Sequence, residues 1–419
     1  MNDGYVVSDL HIGAGADDSL EDFSLDGLFA TFVRKMGRQQ DTLLINGDFV
    51  DFAQIEPLDV KALHPGLIWD EATSVKKLEV AIAGHPECFV ALRDLIALGG
   101  RLCVINGNHD LDFAWPAVQQ RLAKELGAEG NDHLTFVVGA TSFEGVHIEH
   151  GYAFTVENSP HDPSSFIRQG PDGRRYLERV WGTDFLLRFF NELEKQHKYT
   201  DNVKPTIRLA WQALRHRWIP VRALVQLAVA IKRSGIPWGL LPEILDDTPT
   251  TPDVMLQAFS EEDWQQLTLE LVSTDTAEIQ AGLDELDLED RKFLVHTPPV
   301  AIGEQVTGEP AQVLGLFRAP REERAAKDRL GGEGITHVVF GHTHDIIDGE
   351  LDGRWFNPGS WIPHLDLRNP EVKGKVDQRG WSLDLLSDAR LYETKPRAVR
   401  IRPNDGGSAT VDLIDVHDV

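Results

Sequence analysis

The 419-residue sequence predicts an α/β fold, and three observations lead there. Five short runs rich in β-branched and apolar residues each end in a polar cluster. Helical patterns lie between the earlier runs. A stretch of roughly 190 residues between the fourth and fifth runs breaks this rhythm and reads as an insertion. Strands that alternate with helices place a site beyond the carboxyl ends of the strands.

The first run, Tyr5 to Val7, precedes Ser8-Asp9-Leu10-His11. The helical pattern Leu25 to Met36 then stops before Gly37. Thr42 to Ile45 leads into Gly47-Asp48-x-x-Asp51, and Leu102 to Ile105 into Gly107-Asn108-His109-Asp110. A second helix is predicted from Ala114 to Leu126, with Pro116 in its first turn and Gly127 at its end. Val146 to Glu149 precedes His150-Gly151, and His337 to Phe340 precedes Gly341-His342-Thr343-His344. Ala398 to Ile401 and Thr410 to Ile414, on either side of Gly406-Gly407, read as strands that complete a sheet. His147 lies on the strand face opposite His150 and is taken as structural, and His161 as a loop histidine.

This gives a core of residues 1–151 and 335–419, interrupted by a mainly helical insertion at 152–334. Helical spacing runs through Trp181 to Gln196, Thr206 to Trp218, Val221 to Ser234 and Thr251 to Ser273. The insertion is divided in charge: Asn202 to Pro242 holds seven Lys or Arg and no acid, whereas Glu243 to Asp290 holds 15 Asp or Glu and no base. Trp211, Trp218 and Trp238 among those bases suit contact with a membrane surface or a lipid-like substrate. The competing reading is that the two halves pack on each other. Prolines 220, 237 and 242 cut the segment and weaken a long interfacial helix.

A net charge of −26 repels phosphate backbones and makes nucleic acid a poor partner. The two cysteines, Cys88 and Cys103, make no disulfide framework and have no ligand-like spacing. No basic-then-apolar leader and no run of about 18 apolar residues is found, so the expected location is the cytoplasm.

One Asp-x-His carries little information, because strand ends are often polar, but five polar clusters in order carry much more. Carboxylate, imidazole and amide donors of this kind suit divalent ions, with manganese favoured and iron or zinc compatible. The ordered series resembles the motif blocks of the calcineurin-like metallophosphoesterase superfamily over about residues 5–151 and 336–361. The resemblance implies a four-layer αββα sandwich of two mixed sheets flanked by helices. It also implies two divalent ions: Asp9, His11 and His344 on the first, Asn108, His150 and His342 on the second, and Asp48 between them. A carboxylate can hold two cations about 3.5–4 Å apart, and water trapped between them ionises near neutral pH to attack phosphorus. His109 would then assist the leaving group, Asp110 would hold its ring, and Asp51 would support the ligands. Asn357-Pro358-Gly359-Ser360-Trp361 resembles the segment after the last motif in related bacterial enzymes and is expected beneath the site.

Among bacterial relatives the sequence looks most like the group of UDP-2,3-diacylglucosamine pyrophosphatase. That group has a shorter insertion, and arginine where this chain has His109, so its substrate is not carried over. The expected activity is hydrolysis of a phosphodiester or pyrophosphate, with a nucleotide- or lipid-linked substrate chosen by the insertion. A nuclease of the same superfamily is the alternative, opposed by the acidity of the chain. An inactive partner-binding scaffold is a third reading, opposed by the intact ligand set. Monoester or diester preference and oligomeric state are left open.

Overall fold

The computed structural model describes residues 2–16, 18–57, 67–154, 158, 160, 165–180, 182–183, 186–204, 321–404 and 408–418. The expectations for 205–320, including the tryptophan-rich basic segment and its acidic counterpart, lie outside these residues, as do His161 and Gly406-Gly407. The chain divides into two compact units, Met1–Val203 with Ala325–Val419, and Lys204–Arg324. The first unit extends to Val203, whereas the sequence reading begins the insertion at residue 152. Part of the helix expected over Trp181 to Gln196 is described, as helical turns at Leu186–Phe190 and Asn191–Glu194.

In chain order the strands are β1 (Gly4–Val7), β2 (Thr42–Asn46), β3 (Arg101–Ile105), β4 (Leu134–Val137), β5 (Ala140–Phe143) and β6 (Val146–Glu149). A small hairpin, β7 (Ile167–Gln169) and β8 (Arg175–Leu177), and the two-residue β9 (Val203–Lys204) follow. The last six are β10 (His337–Val339), β11 (Ile346–Gly349), β12 (Trp355–Pro358), β13 (Leu365–Asp366), β14 (Arg397–Arg402) and β15 (Thr410–Asp415). One sheet runs β15-β14-β1-β2-β3-β4 and the other β11-β12-β10-β6-β5. Both are mixed. β1 to β4 are parallel neighbours with β14 antiparallel on β1, and β6, β10 and β12 are parallel with antiparallel β5 and β11 at the edges. The chain is therefore α/β as expected, with the tail completing the first sheet.

The apolar runs are explained by burial on both strand faces. Tyr5, Val7, Leu43, Ile45, Leu102 and Val104 join one core cluster, with residues of α1 (Asp26–Gln39), α2 (Glu71–Gly84), α3 (Pro86–Ala97) and α4 (Pro116–Glu125). The alternate residues Val6, Leu44, Cys103 and Ile105 share a second cluster with Val146, Ile148, Val339 and Phe356 of the other sheet. On that sheet's far side, Val338 and Phe340 meet Ala326 from the helix Arg321–Leu330. A one-residue slip of β1 would exchange the two cores, so its register is fixed.

Helix α1 buries Phe29, Ala30, Phe32, Val33 and Met36, at helical spacing, and packs edge-on against Trp361. Truncating Phe29 there would cost about 3–5 kcal/mol. The helix runs past Gly37, where the sequence reading ends it. Gly37 is itself buried, and the left-handed cap falls at Gln40, whose N–H donates to the carbonyls of Met36 and Gly37. Among the described residues no helix is long and apolar enough to cross a membrane.

Candidate metal centre

The carboxyl ends of β1, β2, β3, β6 and β10 lie close together, and the loops that leave them are bonded to one another. Asp9 N–H donates to Gly47 O at 3.1 Å, His11 N–H to Asp48 O at 2.9 Å, Gly341 N–H to His150 O at 3.0 Å, and Trp361 N–H to Asp9 O at 3.0 Å. Five non-glycine residues here hold left-handed backbone: Asp9, His11, Asp48, His342 and His344. Each costs of order 1–3 kcal/mol unless its surroundings impose it, and Asp and His are among the residues that tolerate the region best. Crowding explains two glycines. A Cβ on Gly47, itself at φ +83°, would stand 2.2 Å from His150 Nδ1, and one on Gly107 would stand 2.1 Å from Asp48 Oδ1.

Two buried groups of ligand atoms result, Asp9, His11, Asp48 and His344, and Asp48, His150 and His342. Asp48 belongs to both. In the first, His344 Nε2 lies 3.1 Å from Asp9 Oδ1 and 3.1 Å from His11 Nε2. Two imidazole nitrogens so close cannot both carry protons, so at least one of them presents a lone pair here. In the second, His150 Nε2 lies 3.1 Å from Asp48 Oδ2. His150 Nδ1 stands 2.7 Å from Asn46 O and donates to it, so Nε2 is the nitrogen turned toward the carboxylates and available to a metal in exchange for its proton. Buried Asp9 Oδ1, His150 Nε2 and Asn108 Oδ1 have no hydrogen-bond partner. Clustered ligand atoms and unpartnered buried donors of carboxylate, imidazole and amide type are what a divalent ion would satisfy, so the residues fit a metal.

Asp51 is the hub beside these groups. Its Oδ2 lies 2.9 Å from His11 Nδ1 and 2.8 Å from His109 Nδ1, the latter as a charge contact off the hydrogen-bond direction. Asp110, expected to orient His109, instead accepts backbone N–H bonds from Gly107 at 2.5 Å and Phe49 at 2.7 Å. It fastens the β2 and β3 loops together, and Asp51 holds the histidine. His109 N–H donates to Asp48 Oδ1 at 2.9 Å, and its ring meets His11 edge-on at 4.7 Å.

The charges divide the site. Burial raises the pKa of Asp9, but the His344 and His150 charges outweigh it and bring the carboxyl to about 2. Asp48, equally buried, is held well below the carboxylate range by His150 and His109. Burial works against protonated His150 and His109, yet Asp48 and Asp9 lift His150 to about 9, and Asp51 and Asp48 lift His109 to about 10. His342 goes the other way: burial and the neighbouring His150 charge lower it to about 3, leaving it neutral and ready to donate. Asp110 is pushed up to about 7 by burial and by Asp48.

Three supporting residues escaped the sequence reading. Ser8 Oγ shares its one proton between Asp9 Oδ2 and Asn46 O, Asn46 Nδ2 donates to Glu149 O at 3.1 Å, and Asn158 Nδ2 lies 3.4 Å from His342 Nε2. Asn46 carried a usable signal, a polar residue closing an apolar strand one place before Gly47. The Asn357–Trp361 segment lies beneath the site as expected, with Asn357 Nδ2 donating to Gly341 O at 2.9 Å and Trp361 fully buried. His147 pairs with Glu149 at 2.9 Å and takes no part. No protein-family model matches the chain, and no curated protein matches it.

Proposed function

We propose that the chain is a metal-dependent hydrolase of phosphoric esters or anhydrides, of the calcineurin-like metallophosphoesterase kind. The observation that carries this reading is one buried carboxylate, Asp48, common to two imidazole-containing ligand groups. The layer order of helices, sheet, sheet and helix is compatible with the αββα sandwich that the resemblance implies.

Asp9, His11 and His344 would hold one ion, Asn108, His150 and His342 a second, and Asp48 both, with manganese the first choice. Bound ions would supply Lewis acidity toward phosphoryl oxygen and lower the pKa of water. Four imidazoles, neutral when they bind a metal, and an amide would keep the net ligand charge low. Asp51 holds His11 by Nδ1 so that Nε2 faces the centre, as outer carboxylates do for ligating histidines. The same carboxylate engages His109 through Nδ1 and leaves Nε2 as the nitrogen that gives a proton to a departing oxygen. A phosphodiester or pyrophosphate substrate fits this division, because its leaving group needs that proton.

The test is turnover of bis-p-nitrophenyl phosphate beside p-nitrophenyl phosphate after chelation and return of manganese. Manganese-dependent turnover that drops about 10³-fold or more in Asp48→Asn is the expected result. A metal-replete protein inert toward both esters and toward pyrophosphate-linked nucleotides would overturn the reading.

A further inference from the structure

A second acidic pocket lies apart from the imidazole groups. Asp22 follows the loop after His11, Glu194 ends the turn Asn191–Glu194, and Asp201 begins the approach to β9. Their three carboxylates offer oxygens within 4.8 Å of one another. Asp22 is only 3% exposed and Glu194 only 1%. The donors around them are neutral. Gln54 Nε2 donates to Glu194 Oε2 at 2.9 Å and to Asp201 Oδ2 at 3.1 Å. Asn202 Nδ2 donates to Asp22 Oδ2 at 2.6 Å, and Tyr199 N–H to Glu194 Oε1 at 3.2 Å.

Neutral donors satisfy lone pairs but cannot cancel three charges. Neither lysine nor arginine forms an ion pair with any of the three among the described residues; Lys198, whose charge reaches Asp22, lies against the Tyr199 ring. A separate observation points into the pocket: Asp22 Oδ1 and Asp201 Oδ1 are buried atoms with no hydrogen-bond partner. Of the two Asp22 oxygens, one is therefore held by Asn202 and the other is left over at the cluster. Buried acceptors of this kind are rare unless something unseen binds them.

We propose that Asp22, Glu194 and Asp201 form an oxygen-only site for a hard divalent cation of the Ca2+ class, distinct from the imidazole centre. The donor chemistry selects the ion. Carboxylates with no imidazole or thiolate suit Ca2+ or Mg2+, and an irregular buried cluster suits Ca2+, because Mg2+ demands near-octahedral geometry and keeps several waters. Burial raises all three carboxyls, the Asp201 charge adds to it at Asp22 and Glu194 and the Asp51 charge at Asp201, so without a cation the pocket favours taking up protons. A cation there would clamp three segments: the loop behind His11, the turn at Gln54 that begins with Asp51, and residues 191–202. Asp201 is near enough for the charges of Asp51 and His11 to act on it, so the clamp borders the centre without sharing a ligand with it.

The experiment is calcium titration of the chelator-stripped full chain, followed by thermal unfolding and by calorimetry. Calcium is expected to raise the unfolding midpoint of the wild type and of two variants crippled at the imidazole centre, Asp48→Asn and His344→Ala. In Asp22→Asn and Asp201→Asn, which keep side-chain shape but lose a charge, the metal-free midpoint should rise and calcium affinity should fall at least tenfold. Absence of any calcium response in the wild type up to millimolar concentration would overturn the proposal. So would a response kept by Asp22→Asn and Asp201→Asn but lost from both centre variants. Neither result bears on phosphoester turnover.

Discussion

Two pockets of this protein crowd acids together and neutralise them differently. At the strand ends, Asp9, Asp48 and Asp51 face His11, His109, His150 and His344, and each carboxylate is held low in pKa by imidazole. Among the described residues no imidazole pairs with Asp22, Glu194 or Asp201, and each carboxyl is held high. Burial acts on both sets alike, so burial is not what separates them. The first pocket carries its own counter-charge and can exchange protons for ions of the imidazole-loving kind. The second must import its counter-charge, as protons or as a cation. A third arrangement sits between them: His85, packed between Glu21 at 2.9 Å and Asp26 at 2.8 Å, where a proton suffices.

The largest effect expected from breaking this contrast is at His109. On the proposed function, His109→Gln keeps a polar side chain but would remove the proton donor, and turnover of a diester with a poor leaving group should fall about 10²–10⁴-fold, the usual worth of a general acid. With a p-nitrophenolate leaving group, which needs little protonation, the loss should be smaller. Equal losses on both substrates would assign His109 to electrostatic stabilisation. Next comes Asp51→Asn. Removing the charge that orients His11 should weaken metal binding about 10–100-fold, measured by chelator competition, while the fold persists. Unchanged metal affinity would show that Asp51 serves His109 alone.

The smallest effect is on stability. The flanking carboxylates lift His85 to about 9 although burial opposes its charge, so the protonated pair favours the folded state. A raised imidazole contributes stability that is complete below its unfolded value near 6.5 and lost as pH climbs through about 9. Thermal midpoints measured from pH 6 to pH 10 should therefore fall less steeply in His85→Gln than in the wild type, with a difference on the order of 1–3 kcal/mol at the acid end. Parallel curves would remove His85 from the contrast.

What could be read from the sequence follows from how each pocket is assembled. The imidazole centre is delivered by strand ends. Its metal-capable residues sit in compact blocks such as Gly341-His342-Thr343-His344, and the apolar runs that precede them mark where they emerge. The five strands expected from those runs are β1, β2, β3, β6 and β10 to within one residue at each end. Asp22, Glu194 and Asp201 have no such frame. Each stands alone among ordinary surface-type residues, and only chain folding brings them within reach. Adjacency also misleads: Asp110 is next to His109 in sequence, but its carboxylate turns to the N–H groups of Gly107 and Phe49, and the partner comes from Asp51 on another loop. Backbone bonds within a tight turn are more readily made by the nearest short carboxylate than a bond to the adjoining side chain.

The place of β1 has a consequence for how the protein is made. β1 is an interior strand, with β2 on one side and β14 on the other, and Gly4 to Val6 pair with Val399 to Ile401. The strand that leads into Asp9 and His11 thus keeps one unpaired edge until Val399 to Ile401 have been synthesised. At about 5–20 residues per second that interval is roughly 20–80 s. During it an apolar, half-paired strand stands open to strand-on-strand aggregation, and Val399 to Ile401 of β14 are the residues that close it.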